Sequence, residues 1–399
     1  MWQAYQYVRL AIHSIFPQAV PTGPVDVQRG GSVPGHVTQS AGGVARNVAE
    51  SLAMLLRSSG AAALPLLVSA VGDDLTGRAL LQHCRSLGCA AIFSAAAAAH
   101  PQANPVQLSC SLRRLSTENI LQLPGRSTPT VAVVFDMGGE VAACVADVAL
   151  LEAALTPAAL LKSPAIATSM ASAPLLMLDA NLSSAAIAAA CQLCRSSGSS
   201  DSRMCIWFEP VSVPKSTRAT AVLSQLDFTS PNAAELRTMA AAARQQQERS
   251  AHRSSDRKPC ESPCACATGG SAERELHALL PDIRTLLAAG VRHIVLTLGA
   301  EGAALCRLAP DCRSLLITHV PALMAAVVNC SGAGDCLVAG CLFGLALGAE
   351  PEAALACGVA AAKAAVQSPK NVPLALDAAD LKRDAAMVAA QARRLSFTM

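Results

Sequence analysis

The stretch NCSGAGDCLVAG, residues 329–340, contains the strongest structural signal in the chain. Its Gly-Ala-Gly step lets the backbone pass close to a ligand or take conformations that side chains forbid. The apolar run that follows, residues 337–349, is too short to span a bilayer and predicts a buried core helix. Asp335 then falls in the first turn of that helix, where unpaired backbone N–H groups favour an anion such as phosphate. An acid there also serves as an ordinary helix cap, so the stretch alone leaves both interpretations open.

The composition indicates a globular chain with a sizeable core. Of its 399 residues, 52% are hydrophobic and 15% are charged, which allows one large domain or two smaller ones. The net charge of +3 is too small to indicate a nucleic-acid partner. Because no uncharged run of about 18 strongly apolar residues occurs, we expect no membrane span.

Short apolar runs alternate with helical patterns along most of the chain. After a Gly-Gly turn, Val48, Leu52, Leu55 and Leu56 recur at helical spacing. Residues 128–147 contain two strand-like runs joined by a tight turn, which predicts a hairpin. From residue 173 onward, apolar strands alternate with helical stretches, which predicts βαβ units and a parallel sheet. Polar residues follow these strands, at the edge where open α/β sheets bind ligands.

One segment has no place in this alternation. Residues 240–273 are rich in Ser, Arg and Gln and show no apolar periodicity. We interpret them as a disordered insertion in a surface loop, without a part in catalysis.

Two motifs carry a resemblance to a known family. GGVARNVAE at residues 42–50 and SGAGD at residues 331–335 resemble the two signatures of the PfkB-type, or ribokinase-like, carbohydrate kinases. Among the branches of that family, LDANLS and WFEPVSVPKS resemble the pseudouridine kinases more than ribokinase or adenosine kinase. The resemblance implies one α/β/α sandwich domain over residues 1–399, built on a mostly parallel central sheet. It also implies a small β lid drawn from residues 10–42 and 128–147.

The reaction implied by this resemblance is transfer of the γ-phosphate of ATP to the 5′-hydroxyl of pseudouridine. Asp335 would be the general base that takes the proton from the attacking hydroxyl. The backbone N–H groups of Gly332, Ala333 and Gly334 would form an anion hole for the transferred phosphoryl group. The glycines would thus let the backbone approach phosphate, while the acid lies beside the hydroxyl.

The resemblance further implies residues for the two substrates. Those expected on the acceptor side are Gly42, Gly43, Asn47, Thr130 and Lys215, with Asp147 and Asn181 as weaker candidates. Those expected on the nucleotide side are Asn232, Glu235, Thr297, Gly299 and Gly302. Asn232 and Glu235 match the family's NxxE motif, in which the glutamate orders Mg²⁺ through water. Each residue taken alone also has a plain structural interpretation, as a turn, a helix start or a solvated charge.

The chain departs from the family pattern in two places. Asn329 and Cys330 stand where the family usually has Asp-Thr, which puts dependence on a monovalent cation such as K⁺ in question. Ala11 stands at the end of the expected first strand, where the family has an acid that binds sugar hydroxyls. Either the start of the chain is truncated or misassembled, or sugar binding is weakened.

Three functions therefore stay open at this stage. The first is a pseudouridine kinase that uses ATP and Mg²⁺, and the second is a kinase for another nucleoside or sugar. The third is a nucleotide-binding regulator with impaired catalysis, which Ala11 suggests and the intact Asn47 and Asp335 oppose. We expect a cytoplasmic protein, with import into an organelle left open, and a possible homodimer.

Overall fold

The structure is a computed structural model. It describes residues 7–11, 14–21, 35–61, 64–86, 117, 119–135, 141–162, 166–167, 170, 173–196, 204–251 and 270–398.

Helices and strands alternate along the chain as the apolar pattern predicts. The α-helices are α1 (Val44–Ser58), α2 (Leu75–Ser86), α3 (Ala149–Ala154), α4 (Pro157–Lys162), α5 (Ser184–Ser196), α6 (Ala233–Ala251), α7 (Ser271–Ala288), α8 (Ala333–Ala346), α9 (Pro351–Val366) and α10 (Ala378–Ala389). The strands are β1 (Tyr7–Ala11), β2 (Ser14–Pro21), β3 (Gly35–Gly42), β4 (Leu64–Gly72), β5 (Ile120–Leu123), β6 (Thr130–Phe135), β7 (Val141–Asp147), β8 (Leu175–Asp179), β9 (Cys205–Glu209), β10 (Phe228–Thr229), β11 (His293–Thr297), β12 (Ala303–Leu308), β13 (Ser314–Val320) and β14 (Arg393–Thr398). Two 3₁₀ segments cover Ser216–Gln225 and Gly299–Glu301.

The main sheet has ten strands in the order β14-β13-β12-β11-β10-β9-β8-β1-β4-β5. Neighbouring strands from β11 to β5 are parallel, and β12, β13 and β14 add an antiparallel edge. The expected α/β fold on a mostly parallel sheet is therefore confirmed. The chain moves from β1 to β4 on one side and later to β8 on the other. This change of direction opens a crevice outside the carboxyl ends of the strands, which is where such sheets bind ligands.

A second, smaller sheet joins the two regions predicted to form a lid. Its order is β3-β2-β6-β7, with β2 parallel to β6 and both outer pairs antiparallel. The predicted hairpin is confirmed in its two strands, since Thr130 pairs with Asp147 in the β6–β7 register. The turn predicted between them lies outside the described residues.

Helix α8 confirms the interpretation of the glycine-rich stretch. Every residue from Cys336 to Ala346 is buried, and Asp335 lies in the first turn. The helix packs closely on α9 through small residues, because a Cβ atom on Gly340 would lie 2.4 Å from the carbonyl oxygen of Cys357. A buried helix packed on both sides gives Asp335 a fixed position in the fold.

The prediction that disorder begins at residue 240 is wrong. Helix α6 continues to Ala251, and Ala240 and Ala243 are buried in the core. Arg244 bonds to both Asp282 and Thr285 of α7 at 2.9 Å. The run AAAARQQQER consists of strong helix formers, so helix propensity and a narrow alanine face replace the missing apolar periodicity. Residues 270–273 also differ, because α7 begins at Ser271, and residues 252–269 lie outside the described residues.

None of the helices described is long and apolar enough to cross a membrane. The ten cysteines whose side chains the structure describes are free thiols, and six of them are buried.

Candidate active site

A cavity of about 200 Å³ opens at the carboxyl ends of β9, β10 and β11, against the start of α8. Six of the predicted site residues line it: Gly332, Gly334, Asp335, Asn232, Glu235 and Thr297, the last of which ends β11. Residues predicted on two different motifs therefore meet at one cavity, which neither motif shows by itself.

The first turn of α8 brings the Asp335 carboxyl to this cavity. Gly332 is the N-cap residue and takes a left-handed conformation with φ of 80°. A Cβ atom at this position would lie 2.0 Å from the carbonyl oxygen of Asn371, so both conformation and space require glycine. Burial raises the pKa of Asp335 to about 6, although the Asn47 hydrogen bond and the Arg46 charge act in the opposite direction. A carboxyl group with such a pKa is ionised at pH 7 and is a better proton acceptor than an ordinary one.

Asn47 joins the first motif to the second. Its Nδ2 donates to Oδ2 of Asp335 at 2.6 Å, and its Oδ1 accepts from the Arg46 guanidinium. Only 3% of Asn47 is exposed, and Gly43 directly precedes its helix with φ of 95°. Both polar ends of the amide are thus engaged within the protein. The amide holds Asp335 in place.

The NxxE motif is an N-terminal capping box of α6. The Glu235 backbone N–H donates to Oδ1 of Asn232 at 2.9 Å, and the Asn232 N–H donates to Oε2 of Glu235 at 3.0 Å. Burial raises the pKa of Glu235. Asn232 also bridges to Thr297, so the start of α6 is tied to the end of β11. This arrangement fixes a glutamate at the cavity wall.

Five further residues line the cavity that were not predicted as site residues: Val44, Glu209, Val211, Ser230 and Val338. Ser230 receives the indole N–H of buried Trp207 at 2.8 Å and donates its own proton to Glu209. Burial raises the pKa of Glu209 well above its usual range, and the nearby Glu235 and Asp335 raise it further. An acid directly after the apolar run CIWF is the signal that could have revealed Glu209.

The turn after Glu209 carries backbone strain. Val211 has φ of 66°, which is rare for a β-branched residue, and its N–H donates to Oε1 of Glu209 at 3.3 Å. Such strain concentrates at functional sites, because the surrounding structure must hold it in place.

Several predicted residues lie away from this cavity. Lys215 donates from Nζ to Oδ1 of Asn181 at 2.6 Å, near the end of β8, and burial lowers its pKa. Thr130 begins β6 in the second sheet and bonds to the Thr128 carbonyl at 3.0 Å. Gly299 and Gly302 form the turn between β11 and β12, where a Cβ on Gly302 would lie 2.2 Å from the Val320 carbonyl oxygen.

The two departures from the family pattern also have structural settings. Ala11 ends β1, and the neighbouring strand β8 ends in Asp179, which is fully buried. Burial raises the pKa of Asp179 to about 7, and its Oδ1 accepts the Asn181 N–H at 2.9 Å. Asn329 uses its Oδ1 to accept the Ser331 N–H at 2.9 Å, which shapes the approach to α8.

Comparison with known proteins decides the family. Residues 110–374 match the pfkB family carbohydrate kinases. The chain is also 33% identical over 380 residues to a pseudouridine kinase from Arabidopsis thaliana, with 86% of each chain covered. The chain belongs to the pfkB family of carbohydrate kinases. It is a phosphotransferase with an alcohol group as acceptor, and the resemblance expected from its motifs is confirmed.

Solved structures agree on the fold. A ribokinase from Arabidopsis thaliana, solved with ribose and ATP, superposes with a TM-score of 0.66 at 16% identity, covering 96% of this chain and 99% of that one. A carbohydrate kinase from Agrobacterium tumefaciens gives a TM-score of 0.65 at 21% identity, covering 98% and 100% of the two chains. The ribokinase-like fold therefore extends over nearly the whole chain.

Two glycine substitutions should separate the structural and ligand-facing parts of the Gly-Ala-Gly turn. Gly332→Ala places a side chain on a left-handed residue against Asn371, so we expect the free energy of unfolding to fall by about 1–3 kcal/mol. Gly334→Ala meets nothing within 4 Å and adds a better helix former, so its stability should not fall. Its methyl group instead enters the cavity and should raise the KM for ATP. Urea denaturation and steady-state kinetics measure both effects, and equal stability of the two variants would contradict this assignment.

Proposed function

We propose that this kinase transfers the γ-phosphate of ATP to the 5′-hydroxyl of pseudouridine, with Asp335 as general base. The observation that carries the proposal is the Asn47–Asp335 hydrogen bond of 2.6 Å, which holds a carboxylate at the cavity beside the N-terminus of α8. The identity with a pseudouridine kinase over most of both chains favours pseudouridine as the acceptor.

The chemistry follows from where the charges lie. Asp335 takes the proton of the acceptor hydroxyl as the hydroxyl oxygen bonds to the γ-phosphorus, and the bond from that phosphorus to ADP breaks. Negative charge on the transferred group would face the first turn of α8, where Gly332 and Gly334 line the cavity and the helix dipole has its positive end. The Ala333 N–H donates to the Cys330 carbonyl at 3.3 Å, so it would join the anion hole only by giving up that bond. A base positioned in this way contributes roughly 10²–10⁴-fold to the rate.

Magnesium fits the oxygen ligands at the cavity. Glu209 and Glu235 both line it, and oxygen ligands are the ones Mg²⁺ prefers. Since no cluster of three or more His, Cys, Asp or Glu side chains suited to a metal occurs among the described residues, phosphate oxygens and water would complete its shell. Glu235 would hold the ion through water, and the ion would neutralise charge on the phosphates. Asn329 supplies no negative charge for a monovalent cation, and its Oδ1 already accepts the Ser331 N–H, so the proposed step does not depend on such an ion.

The remaining contacts are assigned by position. Thr297 lies at the cavity and would contact the nucleotide, with Gly299 and Gly302 shaping the turn beside it. Gly42 and Gly43 would leave room for the ribose, while Asn47 would act through Asp335. Lys215 and Thr130 would reach the acceptor from the end of β8 and from the second sheet, which we propose is the lid.

The alternatives differ in what they require. Another nucleoside or a free sugar as acceptor would use the same base, because Asp335 would act on the hydroxyl group that all these acceptors share. A catalytically impaired regulator would lack an acid for the acceptor hydroxyls, as Ala11 suggests. The Asn47–Asp335 hydrogen bond argues against this alternative, because it keeps the base in place. Cytoplasmic location and a homodimer stay predictions.

Substituting the base tests the mechanism. Asp335→Asn keeps the size and the contact with Asn47 but removes the proton acceptor, so the kcat should fall at least about a hundredfold. Binding of ATP, measured by calorimetric titration, should be retained. Asp384→Asn is the control, since Asp384 pairs with Lys363 on α9 at 2.8 Å and its loss removes a carboxylate outside the cavity. Equal kcat values for the two variants would contradict the role of Asp335.

The pH dependence gives a second test. Asp335 accepts a proton only when ionised, and its pKa is raised to about 6, so kcat/KM should fall as the pH drops through about 6. Rate measurements from pH 5 to 9 would show this acidic limb. A limb near pH 4, the ordinary range for a carboxyl group, would contradict the raised pKa of the proposed base.

A further inference from the structure

Arg46 is an unexpected residue at its position. It lies in the first turn of α1, is only 1% exposed, and follows the apolar and small residues Val44 and Ala45. A cation near a helix N-terminus opposes the helix dipole, and α1 has no acid in its first turn. A buried guanidinium in this place needs specific bonds to offset its cost.

The guanidinium makes four such bonds. Its Nε donates to the Gly42 carbonyl and one terminal nitrogen donates to the Ala41 carbonyl, both at 2.8 Å. The same terminal nitrogen donates to Oδ1 of Asn47, and the other donates to Glu50 one turn further along the helix. Arg46 therefore ties the last two residues of β3, a strand of the second sheet, to the amide that contacts Asp335.

These contacts decide which way the Asn47 amide points. A guanidinium has only donors, and an ionised carboxylate has only acceptors. Asn47 can satisfy both neighbours only with its Oδ1 toward Arg46 and its Nδ2 toward Asp335. Without the guanidinium, nothing in this contact set prevents the amide from turning its oxygen toward the carboxylate, which would repel it.

Glu50 is the counterpart that allows Arg46 to be buried. Its side chain is 8% exposed and also lies 3.1 Å from Nε2 of His83 on α2. The neighbouring Arg46 and His83 lower the pKa of the Glu50 carboxyl against the effect of burial. Glu50 is therefore ionised at neutral pH and balances the guanidinium charge.

We propose that the Arg46–Glu50 ion pair is a positioning unit for phosphoryl transfer, because it fixes the Asn47 amide so that Nδ2 holds the Asp335 carboxylate toward the acceptor. This inference rests on the proposed role of Asp335 as general base. Neither residue touches the cavity. Both act through Asn47, and small displacements of a base from its reacting group cost large factors in rate.

A neutral replacement of the pair separates positioning from folding. Removing one partner alone leaves a buried charge, whereas replacing both by uncharged residues of similar size is often tolerated. The test is therefore the double variant Arg46→Met with Glu50→Gln. Its control is Arg195→Met with Asp227→Asn, a second arginine–carboxylate pair in which the arginine also bonds backbone carbonyls. This pair lies at the amino ends of β9 and β10, whereas the cavity lies at their carboxyl ends.

The double variant should lower kcat at least about tenfold, with the KM for ATP changed less than about twofold. The acidic limb of its kcat/KM profile should move to higher pH, because the Arg46 charge and the Asn47 bond both lower the pKa of Asp335. The control should keep kcat within about twofold and leave the limb in place. If the double variant does not fold, Arg46→Lys is measured instead; it keeps the charge but loses the fork of donors, so its criterion is the fall in kcat alone.

A folded variant with kcat within about twofold and an unmoved limb would overturn the proposal. A crystal structure of the same variant gives a readout independent of turnover: an Asp335 carboxylate and an Asn47 amide that both keep their positions would also overturn it, since a turned amide would repel the carboxylate. If the unaltered chain transfers phosphate to no acceptor, the proposed function fails, while this structure still decides whether Arg46 orients Asn47.

Discussion

The hydrogen bond between Asn47 and Asp335 connects residues 288 positions apart, and the arrangement of the site depends on it. It joins the start of α1 to the start of α8, and so the two motifs that stand near opposite ends of the sequence. Each helix begins after a glycine with positive φ, Gly43 or Gly332, and the residues that follow, from Ala45 to Leu52 in α1 and from Cys336 to Ala346 in α8, are buried. The rigid core therefore extends to the reacting carboxylate, which suits a reaction that depends on positioning and charge more than on covalent chemistry.

Charge at the cavity sets the second constraint. Glu209, Glu235 and Asp335 face a space that we propose receives the phosphates, and all three have raised pKa values. Burial is the largest cause in each case. Such an arrangement repels a bare polyphosphate, so a cation should enter with the nucleotide, and the helix dipole of α8 supplies the remaining attraction. Glu209 is held in place by hydrogen bonds from Ser230, which itself bonds to Trp207, and from the N–H of the strained Val211.

Much of the fold could be predicted because its signals are local. Apolar runs, the face of Val48 and Leu52, and the glycines before α8 depend on residues close in sequence. The prediction of disorder from residue 240 was wrong for a local reason too, because alanine and glutamine are helix formers and continue α6 without an apolar stripe. The site was harder to predict. Asn232 and Glu235 could be found through their motif, but Glu209 and Arg46 gain their meaning only from neighbours brought close by the sheet and by α1. No pattern in the sequence shows that the Asn47 amide bonds to Arg46 through its oxygen and to Asp335 through its nitrogen.

The proposed acceptor and base are tested most directly by phosphate transfer from ATP by the purified chain, with pseudouridine, uridine, adenosine and ribose compared side by side. We expect pseudouridine to have the highest kcat/KM and its product to carry the phosphate on the 5′-oxygen. Equal or better transfer to ribose or adenosine would contradict the proposed acceptor. Binding of ATP without transfer to any of the four would contradict the claim that Asp335, as positioned here, is a working base.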